Sequence, residues 1–265
     1  CTAAAAAAAA AVGADGVRVQ VMINVADPAE LDGLDPAICD GIGLVRTEFL
    51  FHGRSGLPDE DEQAAVYGRI IAWAGGRPVI IRTLDAGGDK PIPGLTRTGE
   101  TNPFLGLRGL RLSLAHPEVF AVQLRALLRA APAGNPRIMI PMVSVPAEMA
   151  RVRELVADAA ATLAARGVAH AVPPVGMMVE VPAAAVTLDL FDTDFVSIGS
   201  NDLTQYVMAA GRDEPSVAAL ADAGNPAVLR LVRATVEGAA AKGIPVSLCG
   251  DAGGDPALVP ALLAA

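Results

Sequence analysis

With 265 residues, 52% of them apolar but only one tryptophan, two tyrosines and six phenylalanines, the chain can form one large α/β barrel of about 250 residues or two smaller domains. Its core must be built from Ala, Val, Leu and Ile, which suit aliphatic layers inside a closed sheet. A net charge of −9 argues against a nucleic-acid surface. No apolar run reaches the roughly 18 residues of a membrane span, and the three cysteines, Cys1, Cys39 and Cys249, lack the number and spacing of a disulfide framework or zinc site.

Residues 1–16, which include nine consecutive alanines at 3–11, read as a low-complexity linker or poorly assigned helix. No basic segment or processing site accompanies them, so a soluble cytoplasmic protein is the expectation. From residue 17 onward, short β-rich runs recur at Val17–Val25, Gly41–Val45, Val79–Arg82, Ile138–Met142, Val175–Val179, Phe195–Ile198 and Ile244–Cys249. Helical patterns intervene at about Asp59–Trp73, Leu105–Leu114, Glu118–Arg129, Pro146–Ala165 and Pro226–Lys242. Such alternation implies parallel strands joined by right-handed crossovers.

Periodicity alone fits a doubly wound sheet as well as a barrel. The polar residues favour the barrel. Arg46, Arg82, Glu180, Asn201 with Asp202, and Cys249 each stand at or just past the C-terminal end of a different strand, and only a closed barrel opens all those ends onto one face. The expected fold is therefore a (β/α)8 TIM-type barrel over residues 17–265. The sequence stops at Ala265, in what should be the seventh helix, so this barrel is expected to be truncated before its eighth strand.

Several segments carry chemistry. GIGLVRTEFLF at 41–51 sets Arg46 and Glu48 after a strand; an ordinary local ion pair would also explain them. RTLDAGGDKP at 82–91 combines Arg82, Asp85, Asp89 and Lys90 with two glycines that permit close backbone approach. GMMVEVPAA at 176–184 and FVSIGSNDLTQY at 195–206 each place a carboxylate, Glu180 or Asp202, at a strand end. Two hard oxygen ligands, completed by water and substrate oxygens, suit Mg²⁺; for Asp202 alone, capping of the next helix is an equally good reading.

Together with NPFLGLRGLR at 102–111, IMIPMVS at 138–144 and SLCGD at 247–251, these blocks resemble, in order and spacing, the phosphoenolpyruvate-binding barrel of the phosphoenolpyruvate-utilising phosphotransferases, above all the C-terminal domain of enzyme I of the sugar phosphotransferase system. The resemblance runs from about Val17 to Asp255. It implies that Arg46, Arg82 and Arg212 bind phosphoenolpyruvate, with Asn201 and the Asp202 backbone on its phosphate and Arg108 as a further member of the cluster. It also implies Glu180 and Asp202 as ligands of Mg²⁺, with Mn²⁺ as an alternative, and Cys249 as the acid that protonates the product enolate. Guanidinium groups suit the phosphate and carboxylate of such a substrate. An ordinary thiol, with a pKa of about 8.5, is mostly protonated at neutral pH.

The resemblance further implies a soluble, cytoplasmic homodimer that passes the phosphoryl group to a histidine on an N-terminal domain, and from there to a histidine-containing phosphocarrier protein. None of His52, His116 and His170 has the glycine-rich Ser-His context of that acceptor. Two residues depart from the pattern: Gly211 stands where an acid normally precedes Arg212, and Asp251 stands where a glutamate is usual. The GGDP at 253–256 is closer to pyruvate phosphate dikinase, so that enzyme and phosphoenolpyruvate synthase remain alternatives, as does a non-catalytic dimerisation or ligand-sensing module.

Overall fold

The structure, a computed structural model, describes residues 10–13, 15–53, 56–88, 91–97, 99–211 and 214–265. The chain separates into two units. One holds the described residues up to Ile138 together with Glu154–Pro174, and the other holds Met139–Arg153 and Val175–Ala265.

In the first unit an antiparallel pair, β1 (Ala11–Val12) and β2 (Arg18–Val19), precedes the parallel strands β3 (Ile23–Val25), β4 (Ile42–Val45) and β5 (Pro78–Arg82), which pair in that order. The single strand expected over 17–25 is thus broken in two, and Asp40 supplies the reason. Its carboxylate accepts the Val21 N–H at 2.9 Å and its own N–H donates to the Val21 carbonyl at 2.9 Å. Those bonds occupy the backbone of Val21, leaving Arg18 and Val19 to pair with β1.

Three helices follow in this unit: α1 (Glu60–Trp73), α2 (Leu110–Ala115) and α3 (Pro117–Ala130). Helix α1 starts where the Asp59 carboxylate accepts the Glu62 N–H at 2.8 Å, with Glu60, Asp61 and Glu62 at the positive end of its dipole. Helix α2 begins five residues later than expected. Gly109, at φ 55°, takes a conformation that breaks a helix, and the Glu100 carboxylate holds the Leu107 N–H at 3.1 Å in the loop ahead of it. β6 (Asn135–Ile140) and α4 (Pro146–Ala165) carry residues of both units. β6 ends two residues before the expected Met142, which lies at φ 59° and cannot continue a strand.

In the second unit β7 (Val175–Val179), β8 (Val196–Gly199) and β9 (Val246–Cys249) are parallel neighbours, with Val179 opposite Ile198 and Gly199 opposite Cys249. Helices α5 (Pro182–Val186), α6 (Ser200–Met208) and α7 (Pro226–Lys242) return the chain between them, and α8 (Asp251–Gly254) and α9 (Val259–Ala264) follow β9. Asn225 caps α7 by accepting the Ala227 N–H at 2.9 Å, and Gly243 at φ 65° ends it. Val228 and Val232 of α7 pack with Ile198 and Leu203 in the core of this unit.

Parallel strands that keep the chain order, each followed by a helical return, wind as an α/β barrel does; a doubly wound sheet reverses its order at a switch point. β3 to β9 supply seven parallel strands among the described residues, matching the seven expected runs. Residues 1–9 of the low-complexity stretch lie outside the described residues.

The outer surface of the first unit is cross-braced by one carboxylate. Glu60, at the start of α1, accepts Arg125 Nε at 2.6 Å and Arg129 Nη1 at 2.8 Å from α3, and Arg166 Nη1 at 3.1 Å. Partial burial pushes its carboxyl up, but the hydrogen bonds from Arg125, Arg166 and Arg129 outweigh this and hold it at about 2. A carboxylate with a depressed folded-state pKa stabilises the fold above its ordinary value and loses that contribution as pH falls toward the folded one. Glu60→Gln is therefore expected to lower the thermal midpoint at pH 7 by roughly 2–4 °C. The gap from the parent chain should close as the pH is taken below the ordinary carboxylate range toward 2, as read by circular dichroism melts across that window.

Candidate functional site

In the first unit, Arg82 ends β5 and is 5% exposed, and Arg108, ahead of α2, is 1% exposed. Two guanidinium groups can be buried so deeply only if carboxylates and hydrogen bonds replace their water. Glu48 and Asp85 provide them. Glu48 Oε1 meets Arg82 Nη2 at 3.0 Å and accepts the Asp85 N–H at 3.1 Å. Asp85 then reaches both arginines, with Oδ2 3.2 Å from Arg82 Nη1 and 3.1 Å from Arg108 Nη2. The local ion pair read from Arg46 and Glu48 is thus formed by Arg82 and Glu48 instead. Arg108 also lies over the Phe104 ring at 5.8 Å.

This packing needs glycine at 87. Gly87 has φ 101°, and a Cβ there would stand 2.7 Å from the Leu107 carbonyl and 2.8 Å from Arg108 Cβ. Arg46, one residue past β4, is half-buried, and its guanidinium has no hydrogen-bond or ion-pair partner among the described residues. Asp89 and Lys90 lie outside the described residues.

In the second unit, Glu180 follows β7 and is 1% exposed, and Asp202 sits in the first turn of α6 at 6% exposure. The amide of Met142, turned inward by its positive φ, donates to Glu180 Oε1 at 2.6 Å. Glu180 Oε2 lies 2.8 Å from where a Cβ on Gly199 would stand. The carboxylate therefore lies against the end of β8, one residue ahead of the helix that carries Asp202. Gly199, not Asp202, is the N-cap of α6, and no side chain makes the capping bond. Asp202 thus stands in the first turn of α6, not at its N-cap position.

Asn201 and Asp251 hold each other in both directions: Asn201 Nδ2 donates to Asp251 Oδ2 at 3.1 Å, and the Asp251 N–H donates to Asn201 Oδ1 at 2.9 Å. Cys249, at the end of β9, is buried, and its carbonyl accepts the Ser200 hydroxyl at 2.9 Å. Arg212 lies outside the described residues.

Among the described residues no group of three or more His, Cys, Asp or Glu is placed to hold a metal ion. Mg²⁺ does not need one, since it binds through one or two carboxylates and keeps water or substrate oxygens for the rest of its octahedron. Glu180, pressed into a cradle that only glycine leaves open, and Asp202 fit that donor set.

Parallel strand ends carry buried arginines in the first unit and buried carboxylates in the second, as α/β proteins place their polar groups. Comparison with known proteins makes this particular. Residues 2–265 match the model of the PEP-utilising enzyme family, PEP-binding domain, and the chain belongs to that family. It is 46% identical over 256 residues to the phosphoenolpyruvate-protein phosphotransferase of Bacillus sp. (strain S), covering 96% of this chain and 44% of that protein. To the protein of the same name from Haloferax volcanii it is 47% identical over 94% of this chain and 45% of that one. The multiphosphoryl transfer protein of Rhodobacter capsulatus is 45% identical over 91% of this chain and 29% of its own length. The chain thus spans less than half the length of these relatives. No helix among the described residues is long and apolar enough to cross a membrane.

Sequence reasoning missed the buried acceptors Glu48 and Asp85 as a pair, and Met142 altogether. The signal for Met142 is faint: a methionine after a proline gives no hint of positive φ. The Gly199 contact yields a direct test. Gly199→Ala should push its new methyl into Glu180 and Met178 Sδ, 2.8 and 2.9 Å away, and destabilise the fold by about 1–3 kcal/mol, measured as a lower midpoint in urea.

Proposed function

We propose that this domain binds phosphoenolpyruvate and, within a longer protein, delivers the phosphoryl group to a histidine on another domain, releasing pyruvate. The observation that carries the reading is Arg46: a half-buried guanidinium without a partner among the described residues, one residue past the strand that neighbours the one ending in the clamped Arg82. Family membership and the names of the relatives support the same substrate.

In this reading Arg46, Arg82 and Arg212 grip the phosphate and carboxylate, and Arg108 steadies Arg82 through their shared contact with Asp85. Asn201, held by Asp251, and the Asp202 amide at the start of α6 donate to phosphate oxygens. Phosphoryl transfer passes through a loose transition state, so fixed cations stabilise charge spreading over the equatorial oxygens and the leaving enolate. Glu180 and Asp202 would hold Mg²⁺, with Mn²⁺ as a substitute; when bound, the metal would neutralise phosphate charge. The Cys249 thiol gives its proton to the enolate carbon, leaving a thiolate and forming pyruvate. The acceptor histidine, a phosphocarrier protein downstream, a cytoplasmic setting and a homodimer complete the proposal by analogy with the sugar phosphotransferase system.

Calorimetry with phosphoenolpyruvate is the direct test. Binding is expected in the presence of Mg²⁺, with Arg46→Ala and Arg82→Ala each weakening it by at least about tenfold, the loss typical of a charge-assisted hydrogen bond. No heat from the folded chain, or heat insensitive to both substitutions, would remove the reading.

A further inference from the structure

Behind Arg46 and Arg82 lies a chain of buried polar side chains that the substrate-binding reading leaves unused. Gln123, on α3, is 1% exposed, and every hydrogen-bonding atom of its amide is engaged. Its Oε1 accepts the Leu84 N–H at 3.0 Å, two residues past Arg82. That donor fixes the orientation of the amide, because only an oxygen can face it. Nε2 must then point the other way, where it donates to the Thr47 hydroxyl at 3.2 Å and to the Tyr67 hydroxyl at 3.1 Å.

Each hydroxyl, having accepted from Gln123, passes its own proton onward. Thr47 Oγ1 donates to the Arg82 carbonyl at 3.0 Å, and Tyr67 donates to Gln63 Oε1 at 3.1 Å. Gln63 Nε2 ends the chain on the Pro58 carbonyl at 3.0 Å. Donors and acceptors alternate without conflict through four side chains, Gln123, Thr47, Tyr67 and Gln63. A buried polar network of this kind costs desolvation that apolar packing would avoid, so its place in the fold is informative. One end reaches the peptide of Arg82, and Thr47 directly follows Arg46.

We propose that Gln123 is a positioning residue that sets Arg46 against Arg82 through Thr47; this rests on the reading of those arginines as the phosphoenolpyruvate grip. Gln123 orients the Thr47 hydroxyl, Thr47 ties its own strand end to the backbone of Arg82, and the next residue, Glu48, holds the Arg82 head. The two arginines thus share one rigid frame before substrate arrives, which reduces the ordering cost of binding.

Thr47 allows a crossed test. Thr47→Val keeps the shape and removes the hydroxyl, whereas Thr47→Ser keeps the hydroxyl and removes a methyl. Phosphoenolpyruvate affinity with Mg²⁺ is measured by calorimetry on the 265-residue chain, beside thermal midpoints, for both variants, Gln123→Met and Arg82→Ala. Positioning predicts that Thr47→Val and Gln123→Met each weaken binding roughly five- to tenfold, while Thr47→Ser stays within about twofold of the parent. A merely structural role predicts the opposite order for the Thr47 pair, or lowered midpoints with unchanged affinity, and either result overturns the proposal. Should Gln123→Met fail to fold, the Thr47 pair decides alone. Parent binding that is absent or indifferent to Arg82→Ala overturns the substrate reading and the positioning role together; parent binding that needs Arg82 but ignores Thr47→Val overturns only the latter.

Discussion

The first unit depends on the burial of Arg82 and Arg108 with Glu48 and Asp85. Two guanidinium groups and two carboxylates, all at most 6% exposed, form a set whose charges cancel. Ion pairs at that depth contribute little net stability, yet removing one member leaves an uncompensated charge that costs about 3–5 kcal/mol. The arrangement is therefore hard to alter one residue at a time. What it provides is orientation: Arg82 is held at its head by Glu48 and Asp85 and at its carbonyl by Thr47. The set is neutral as a whole, whereas the guanidinium of Arg46 is not cancelled by any partner among the described residues.

The second unit fixes a carboxylate, Glu180, in a buried place. Backbone does most of this work. Met142 accepts a left-handed conformation, costly for a residue with a side chain, and its amide reaches Glu180 at 2.6 Å. Gly199 yields the space in which the carboxylate lies. Gly250, at φ 98°, does the same one strand over, since a Cβ there would collide with the Ser200 hydroxyl and lie 2.7 Å from Asn201 Oδ1. Glycine and strained backbone at strand ends thus let polar groups approach more closely than side-chain packing would permit.

Much of this was legible in the sequence. The β-rich runs and the residues just past them located β4 to β9 to within a few positions, because strand ends in this class carry polar residues that periodicity then exposes. The hairpin of β1 and β2 was not legible, since it depends on Asp40 taking the backbone of Val21, 19 residues away. The late start of α2 turned on the conformation of Gly109, which composition cannot distinguish from a tolerated helical glycine. The Gln123 network was invisible for a different reason. A glutamine inside PEVFAVQLRALLRA reads as the solvated stripe of an amphipathic helix, and only the packing of α3 against α1 buries it beside Tyr67.

The two departures from the family pattern now separate. Asp251, one methylene shorter than the usual glutamate, still closes a two-way clasp with Asn201, because α8 begins directly at Asp251 and brings its backbone N–H to the same amide that its carboxylate reaches. Gly211 has no such replacement among the described residues, where the nearest atom to a Cβ built there, its chain neighbours aside, is Glu214 Cβ, at 3.6 Å. Glu214 itself spends its carboxylate on the Ser216 hydroxyl at 2.7 Å and backbone at 3.1 Å, starting the next helical turn. Of the two changes, the one at 251 is absorbed by the local backbone, and the one at 211 alters the charge beside Arg212.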